Sequence, residues 1–193
     1  MNLLSSFNKI FIMGIGGSGM SSIAKYLKQK GHDVEGYDQR ISYITNLLES
    51  DGVKTCQNID NFKYKEDVLY VISSAINLED TFLASCSKNE NVISRPKFLE
   101  LLSKEVEILG ITGTHGKTST TALVSHIFHF NNKNASFIYG GVSGFGNLGG
   151  HFGEKTQPLI LETDEAFNTF KNINIKDLIV TNIDNDHLDF YGS

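Results

Sequence analysis

Short β-rich apolar runs alternate with helically spaced segments from one end of this 193-residue chain to the other. That alternation limits the fold more than any other feature. The candidate strands are 9–14, 33–37, 68–73, 107–112, 135–139, 159–162 and 178–183. Between them Met20, Ile23, Ala24 and Leu27, and later Leu123, Val124, Ile127 and Phe128, recur at the i, i+3, i+4, i+7 spacing of a helix face. Strands that alternate with helices build parallel sheets covered by helices, so the expected class is α/β. Such sheets bind ligands at the carboxyl ends of their strands, and the loops that follow strands are where function is sought. One stretch departs in texture: 140–153 holds seven glycines in fourteen residues and is expected to be irregular loop, because glycine opposes both helix and strand.

Composition removes several function classes. With 40% apolar and 20% charged residues the chain has enough apolar side chain for an ordinary core, which excludes a disordered protein. The net charge is −5, and Arg40 and Arg95 are its only two arginines, so there is no basic stripe for nucleic acid. Cys56 and Cys86 lack CxxC spacing and suit free thiols in a reducing compartment. No run of about 18 apolar residues is present, which excludes a helical membrane span. The apolar patch Ile10–Met13 lacks the basic flank and small-residue cleavage site of a secretion signal and reads as a buried strand. A cytoplasmic location is expected.

The first candidate strand runs into Gly14-Ile15-Gly16-Gly17-Ser18-Gly19 and then a helix, which is GxGxxG in the context it requires. Its glycines permit a tight turn and close backbone approach, and helix N–H groups then face a pyrophosphate. Asp38, nineteen residues beyond Gly19, stands where a ribose-binding acid would, or simply closes the second strand as a turn residue. As a lone motif this loop fits NAD, FAD, a nucleotide sugar or no ligand.

A second strand ends in Gly113-Thr114-His115-Gly116-Lys117-Thr118-Ser119, followed by the helix carrying Ala122 to Phe128. Here backbone N–H groups cradle phosphates, Lys117 neutralises the β/γ oxygens and the Thr118 hydroxyl can hold Mg²⁺. The strict GxxxxGK[ST] spacing is not met, since Ile111 occupies the first position, and the loop is the shorter GTxGKT form. Seven carboxylates, Glu162, Asp164, Glu165, Asp177, Asp184, Asp186 and Asp189, then fall within 28 residues, against Lys171 and Lys176. They suit either a divalent cation or a solvated acidic face. His187 among them is either a catalytic group or an ordinary hydrogen-bonding histidine. The start of the second glycine-loop unit puts a boundary at 103–106. It separates a Rossmann-like parallel-sheet domain over 1–105 from part of a P-loop ATPase α/β domain over 106–193.

Taken together, GTHGKTSTT at 113–121, LETDE at 161–165 and TNIDNDHLDFYG at 181–192 resemble the Mur ligase family in order and spacing, over essentially the whole chain. GIGGSGMSSIA at 14–24, SSAI at 73–76, His115 and the glycine-rich 140–150 segment are similar to the members that join L-alanine to UDP-N-acetylmuramate. The peptide-recycling members that act on the same sugar nucleotide usually carry a bulkier GTFM-type first loop, where this chain has Gly17-Ser18-Gly19-Met20.

The resemblance implies a sugar-nucleotide site rather than redox chemistry at the first loop, formed by Gly14, Gly16, Gly17, Ser18, Gly19, Met20, Asp38, Ser73 and Ser74. It implies ATP on Gly113, Thr114, His115, Gly116, Lys117, Thr118 and Ser119, with Mg²⁺ on Thr118, Glu162 and His187. Lys117, Glu162 and His187 are the implied catalytic residues, and UDP-N-acetylmuramate and L-alanine the substrates, with neither nucleic acid nor membrane as partner. The implied reaction is amide ligation through an acyl phosphate in peptidoglycan precursor synthesis. Ala166 replaces the serine that usually ends the family's EADES motif, so no role carries over to it. Family members continue past this segment into a third domain. The 193 residues are therefore expected to hold a nearly whole first domain and part of the central one, with ligand binding but incomplete turnover.

Overall fold

A computed structural model describes residues 3–60, 62–143, 147–163 and 172–184. The expected α/β class is the one observed, as two five-stranded sheets. In the first, β1 (Lys9–Met13), β2 (Asp33–Tyr37), β3 (Lys54–Cys56), β4 (Val68–Ile72) and β5 (Val92–Ser94) are ordered β3-β2-β1-β4-β5 and pair in parallel. β4 is buried along its whole length and β1 at four of five positions, as expected of central strands covered on both faces. The chain winds outward from β1 through β2 and β3, then returns to the other side for β4 and β5. The order therefore reverses at the β1–β4 crevice, where the first glycine loop emerges.

The second sheet is ordered β10-β6-β9-β7-β8, from β6 (Ile108–Thr112), β7 (Ser136–Val142), β8 (Leu148–His151), β9 (Leu159–Glu162) and β10 (Asp177–Val180). β6, β7, β9 and β10 run parallel, and β8 closes the edge as an antiparallel partner of β7. The second glycine loop leaves β6 between β9 and β10, again where strand order reverses. The strand at Leu148–His151 corrects the expectation of irregular loop across 140–153. Glycine is tolerated here because another backbone comes too close for a side chain. A Cβ on Gly150 would overlap the carbonyl of Ser22, and one on Gly149 would overlap that of Tyr139.

That close approach joins the two sheets. α1 (Ser18–Gln29) covers the first sheet with Met20, Ile23, Ala24 and Leu27, as its periodicity predicts. Its other side, Ser21, Ser22, Lys25 and Tyr26, is also buried, against β7 and β8. Small side chains let the layers meet, and the Ser22 hydroxyl donates to the Tyr139 carbonyl at 2.7 Å in a buried setting. Phe152 adds an edge-on contact to Tyr26 at 5.5 Å between ring centres. Desolvation pushes the Tyr26 phenol far above its usual pKa and keeps it neutral. One apolar cluster accordingly spans both sheets, with Ile23, Tyr26 and Leu27 packed together with Ile138, Leu148 and Leu161.

Two further helices cap the first sheet. α2 (Tyr43–Ser50) begins at a capping box in which Ser42 and Thr45 satisfy each other's backbone N–H. α3 (Arg95–Leu102) begins after Ser94, whose hydroxyl accepts from the Lys97 N–H, with Pro96 in the first turn.

α4 (Lys117–Phe130) differs from its expected face. Val124 and Phe128 pack on the second sheet, whereas Leu123 and Ile127 are exposed. Thr121 and Ser125 are buried instead, and their hydroxyls donate to the carbonyls of Lys117 and Thr121, four residues back. Such back-bonding satisfies a small polar side chain without an external partner, so hydroxyls stand where the sequence pattern called for apolar groups.

The Lys25–Asp51 ion pair, at 3.1 Å, joins a largely buried lysine to a partly exposed carboxylate, and water at the carboxylate screens it to about 1 kcal/mol. Overpacking a close backbone contact costs more. Gly150→Ala is expected to destabilise the chain by about 2–3 kcal/mol in urea unfolding. An unchanged midpoint would show that α1 and β8 do not meet in this way.

Candidate functional site

The first glycine loop is built on its own backbone. The Gly14 and Ile15 N–H groups donate to the Tyr37 carbonyl at 2.7 and 3.0 Å, and Gly17 N–H donates to Gly14 O at 3.1 Å. Gly14 sits at φ +77°, and a Cβ there would lie 2.9 Å from Ser73 Cβ, so no side chain fits. Asp38 accepts from the Gly16 N–H at 2.9 Å and from the Arg40 N–H at 3.1 Å, and so braces the turn. With these donors engaged, Ser18, Gly19 and Met20 present the first-turn N–H groups of α1, which have no partner within a helix.

They open on a cleft of about 300 Å³ lined by Gly17, Ser18, Gly19, Met20, Ser73, Ser74, Ala75 and Arg95. Six of the nine residues expected at this site therefore line the cleft, while Gly14, Gly16 and Asp38 form the turn beneath it. Arg95 was not among the expected residues. Its guanidinium lies against Gly19, where a Cβ would come within 3.1 Å of Nη2, and it brings a positive charge to the cleft. The available sequence signal was a rare arginine directly before Pro96, at the start of a helix.

The second loop has left-handed glycines at both ends, Gly113 at φ +132° and Gly116 at φ +82°, the latter being the N-cap of α4. Lys117 is the first helical residue, and its Nζ donates to the loop carbonyls of Gly113 at 2.6 Å and Thr114 at 3.3 Å. Thr118 Oγ1 donates to Glu162 Oε1 at 2.8 Å. The other carboxylate oxygen, Oε2, accepts the Gly140 N–H at 2.6 Å. The helix N-terminus, a lysine, a threonine hydroxyl and a carboxylate thus meet at the ends of β6 and β9. Thr114 and His115 face the segment after β10, and Ser119 is exposed.

Gly140 also ties this site to the first. A Cβ built on it would lie 3.3 Å from Ser18 Oγ and 3.6 Å from Glu162 Oε2. Only this glycine of β7 separates the start of α1 from the carboxylate at the end of β9.

Mg²⁺ binds oxygen at about 2.0–2.1 Å in near-octahedral geometry, which sets adjacent ligand oxygens about 2.9 Å apart. The 2.8 Å between Thr118 Oγ1 and Glu162 Oε1 fits two such neighbouring ligands. Among the described residues no three His, Cys, Asp or Glu side chains converge. His187, expected at the metal, and Asp164, Glu165, Asp186 and Asp189, read as either cation ligands or a solvated acidic face, lie outside the described residues. Among the described residues no helix is long and apolar enough to cross a membrane.

The fold is thus an α/β protein with a glycine loop at each of two strand-order reversals, one of them a GKT loop with a carboxylate on its threonine. The model of the Mur ligase family, catalytic domain, matches residues 9–107. The UDP-N-acetylmuramate--L-alanine ligase of Cytophaga hutchinsonii is 32% identical over 199 residues, covering 98% of this chain and 43% of the relative. The crystal structure of a UDP-N-acetylmuramate-alanine ligase from Thermotoga maritima superposes with TM-score 0.81 at 30% identity, over 96% of this chain and 44% of that one. A UDP-N-acetylmuramate:L-alanyl-gamma-D-glutamyl-meso-diaminopimelate ligase from Neisseria shares the fold at TM-score 0.79 and 21% identity, covering 97% of this chain and 64% of that one. The chain belongs to the Mur ligase family. It spans about two fifths of the length of the L-alanine ligases it matches.

Thr118→Val keeps the shape of residue 118 and removes the donor to Glu162. It is expected to cost about 1.5–3 kcal/mol of unfolding free energy, the net worth of one hydrogen bond to a charged group. A variant as stable as the parent would mean that the two side chains are not bonded.

Proposed function

We propose that the chain supplies the sugar-nucleotide and ATP sites of a cytoplasmic ligase that joins L-alanine to the lactoyl carboxylate of UDP-N-acetylmuramate. One observation carries this reading. The Glu162 carboxylate bonds the phosphate-loop Thr118 on one oxygen and Gly140 on the other, and Gly140 abuts Ser18 of the first glycine loop. Two phosphate seats that meet at one carboxylate suit transfer of a phosphoryl group from one ligand to the other. They do not suit hydride transfer, which leaves the Lys117 loop without a role.

In this reading the α1 N-terminus and Arg95 hold the pyrophosphate of the sugar nucleotide, with Ser73 and Ser74 on the far wall of the cleft. The N-terminus of α4 and Lys117 hold ATP. The lactoyl carboxylate attacks the γ-phosphorus, giving an acyl phosphate and ADP, and the amino group of L-alanine then displaces phosphate to form the amide. A carboxylate is a poor acylating agent, and ATP supplies the leaving group it lacks. The protein contributes position and charge: the Lys117 ammonium and the α4 N–H groups offset negative charge that builds on the phosphoryl oxygens. Thr118 and Glu162 would hold Mg²⁺, whose positive charge neutralises phosphate oxygens when it is bound.

Calorimetry with UDP-N-acetylmuramate, NADH and magnesium-ATP tests the reading. The sugar nucleotide and ATP are expected to bind at separate sites and NADH not to bind. Arg95→Ala is expected to weaken the sugar nucleotide by about tenfold, as for loss of one charge-assisted contact, and to leave ATP unaffected. Competition between NADH and the sugar nucleotide, with no ATP binding, would overturn the reading.

A further inference from the structure

The segment after β10 was read from sequence as a source of acids, yet its first two residues do something else. Asn182 meets both polar groups of a single residue of the second glycine loop. Its Oδ1 accepts the His115 N–H at 2.9 Å, and its Nδ2 donates to the His115 carbonyl at 3.0 Å. Thr181 Oγ1 adds a second donor to that carbonyl at 2.6 Å and lies 3.1 Å from the Thr112 carbonyl. Thr114 Oγ1 accepts the Asp184 N–H at 3.0 Å. Gly113 must be glycine because a Cβ there would overlap Thr181 Oγ1. The whole turn from Gly113 to His115 is therefore fastened to 181–184.

A planar side-chain amide that accepts and donates on one residue imitates a neighbouring strand, and so fixes where that residue's N–H and carbonyl point. With both groups of His115 turned to Asn182 and Thr181, its N–H faces away from any anion at the loop. The chain then enters Gly116 at φ +82°, ψ 0°, from which α4 starts. Gly116 to Ser119 are left as the donors of the phosphate seat.

We propose that Asn182 is a positioning residue of the phosphate loop: by clamping the N–H and carbonyl of His115 it sets the direction of the N–H groups that receive the nucleotide's phosphates. This rests on the reading of the second loop as the ATP site. Asn182 touches no substrate in this account, and Thr181 assists it.

Asn182→Leu keeps the volume and removes both bonds, and Thr181→Val removes the hydroxyl while keeping the branch. In the full 193-residue chain, magnesium-ATP affinity is expected to fall about tenfold in Asn182→Leu and by less in Thr181→Val. UDP-N-acetylmuramate affinity should be unchanged in both, which a general loosening of the fold would not allow. Amide exchange at His115, followed by NMR without ligand, should be slow in the parent and at least tenfold faster in Asn182→Leu. Equal ATP affinity in parent and Asn182→Leu, equal His115 exchange, or a matching loss for the sugar nucleotide would overturn the proposal. A parent chain that shows slow His115 exchange, faster in the variant, yet does not bind ATP would instead overturn the ATP reading of the loop and leave the clamp standing.

Discussion

The contact on which the rest depends is the seating of α1 against β7 and β8. The Ser22 hydroxyl bonds the Tyr139 carbonyl, and Gly150 comes so near Ser22 that no side chain fits between them. Without this approach the two sheets would be separate units, each with its own glycine loop. With it, the first turn of α1 stands one residue, Gly140, away from the Glu162 carboxylate. Backbone proximity of this kind is set by steric exclusion. It holds the layers in one arrangement more firmly than surface charge pairs, each worth little in water.

Both loops follow a common plan. Each leaves a strand next to a reversal of strand order, spends its early N–H groups on neighbouring backbone or side chains, and leads into the first turn of a helix, whose N–H groups suit an anion. Asp38 on Gly16 and Asn182 on His115 are the two braces, one from each sheet. What differs is the charge beyond the helix. Arg95 faces the first seat, while Lys117, Thr118 and Glu162 surround the second. That difference suits a ligand held by its pyrophosphate at one loop and a triphosphate with a divalent cation at the other.

Much of this was legible in the sequence, and the remainder was hidden for physical reasons. The central strands were plain because strands buried on both faces are short apolar runs. β3 and β5, three residues each, carry too little pattern to stand out. β8 was hidden by its glycines, which usually mark a loop and here mark a contact with another element. The face of α4 was misjudged because Thr121 and Ser125 satisfy their own hydroxyls within the helix. Of the site, the glycine loops, Lys117 and Thr118 were found from local spacing, and Glu162 was singled out from its acidic cluster by the family resemblance. Arg95 and Asn182 were not, since each is brought to its loop from a distant strand end, and single-chain spacing does not record which strand ends are neighbours.

The central claim is that two separate phosphate seats meet at Gly140. Backbone amide shifts of the chain, recorded during separate titrations with UDP-N-acetylmuramate and magnesium-ATP, test it most directly. The sugar nucleotide is predicted to move the amides of Ser18, Gly19, Met20, Ser73 and Ser74, and ATP those of Gly116 to Ser119, with Gly140 shifting in both. One shared set of shifted amides for the two ligands, or a Gly140 signal indifferent to both, would contradict it.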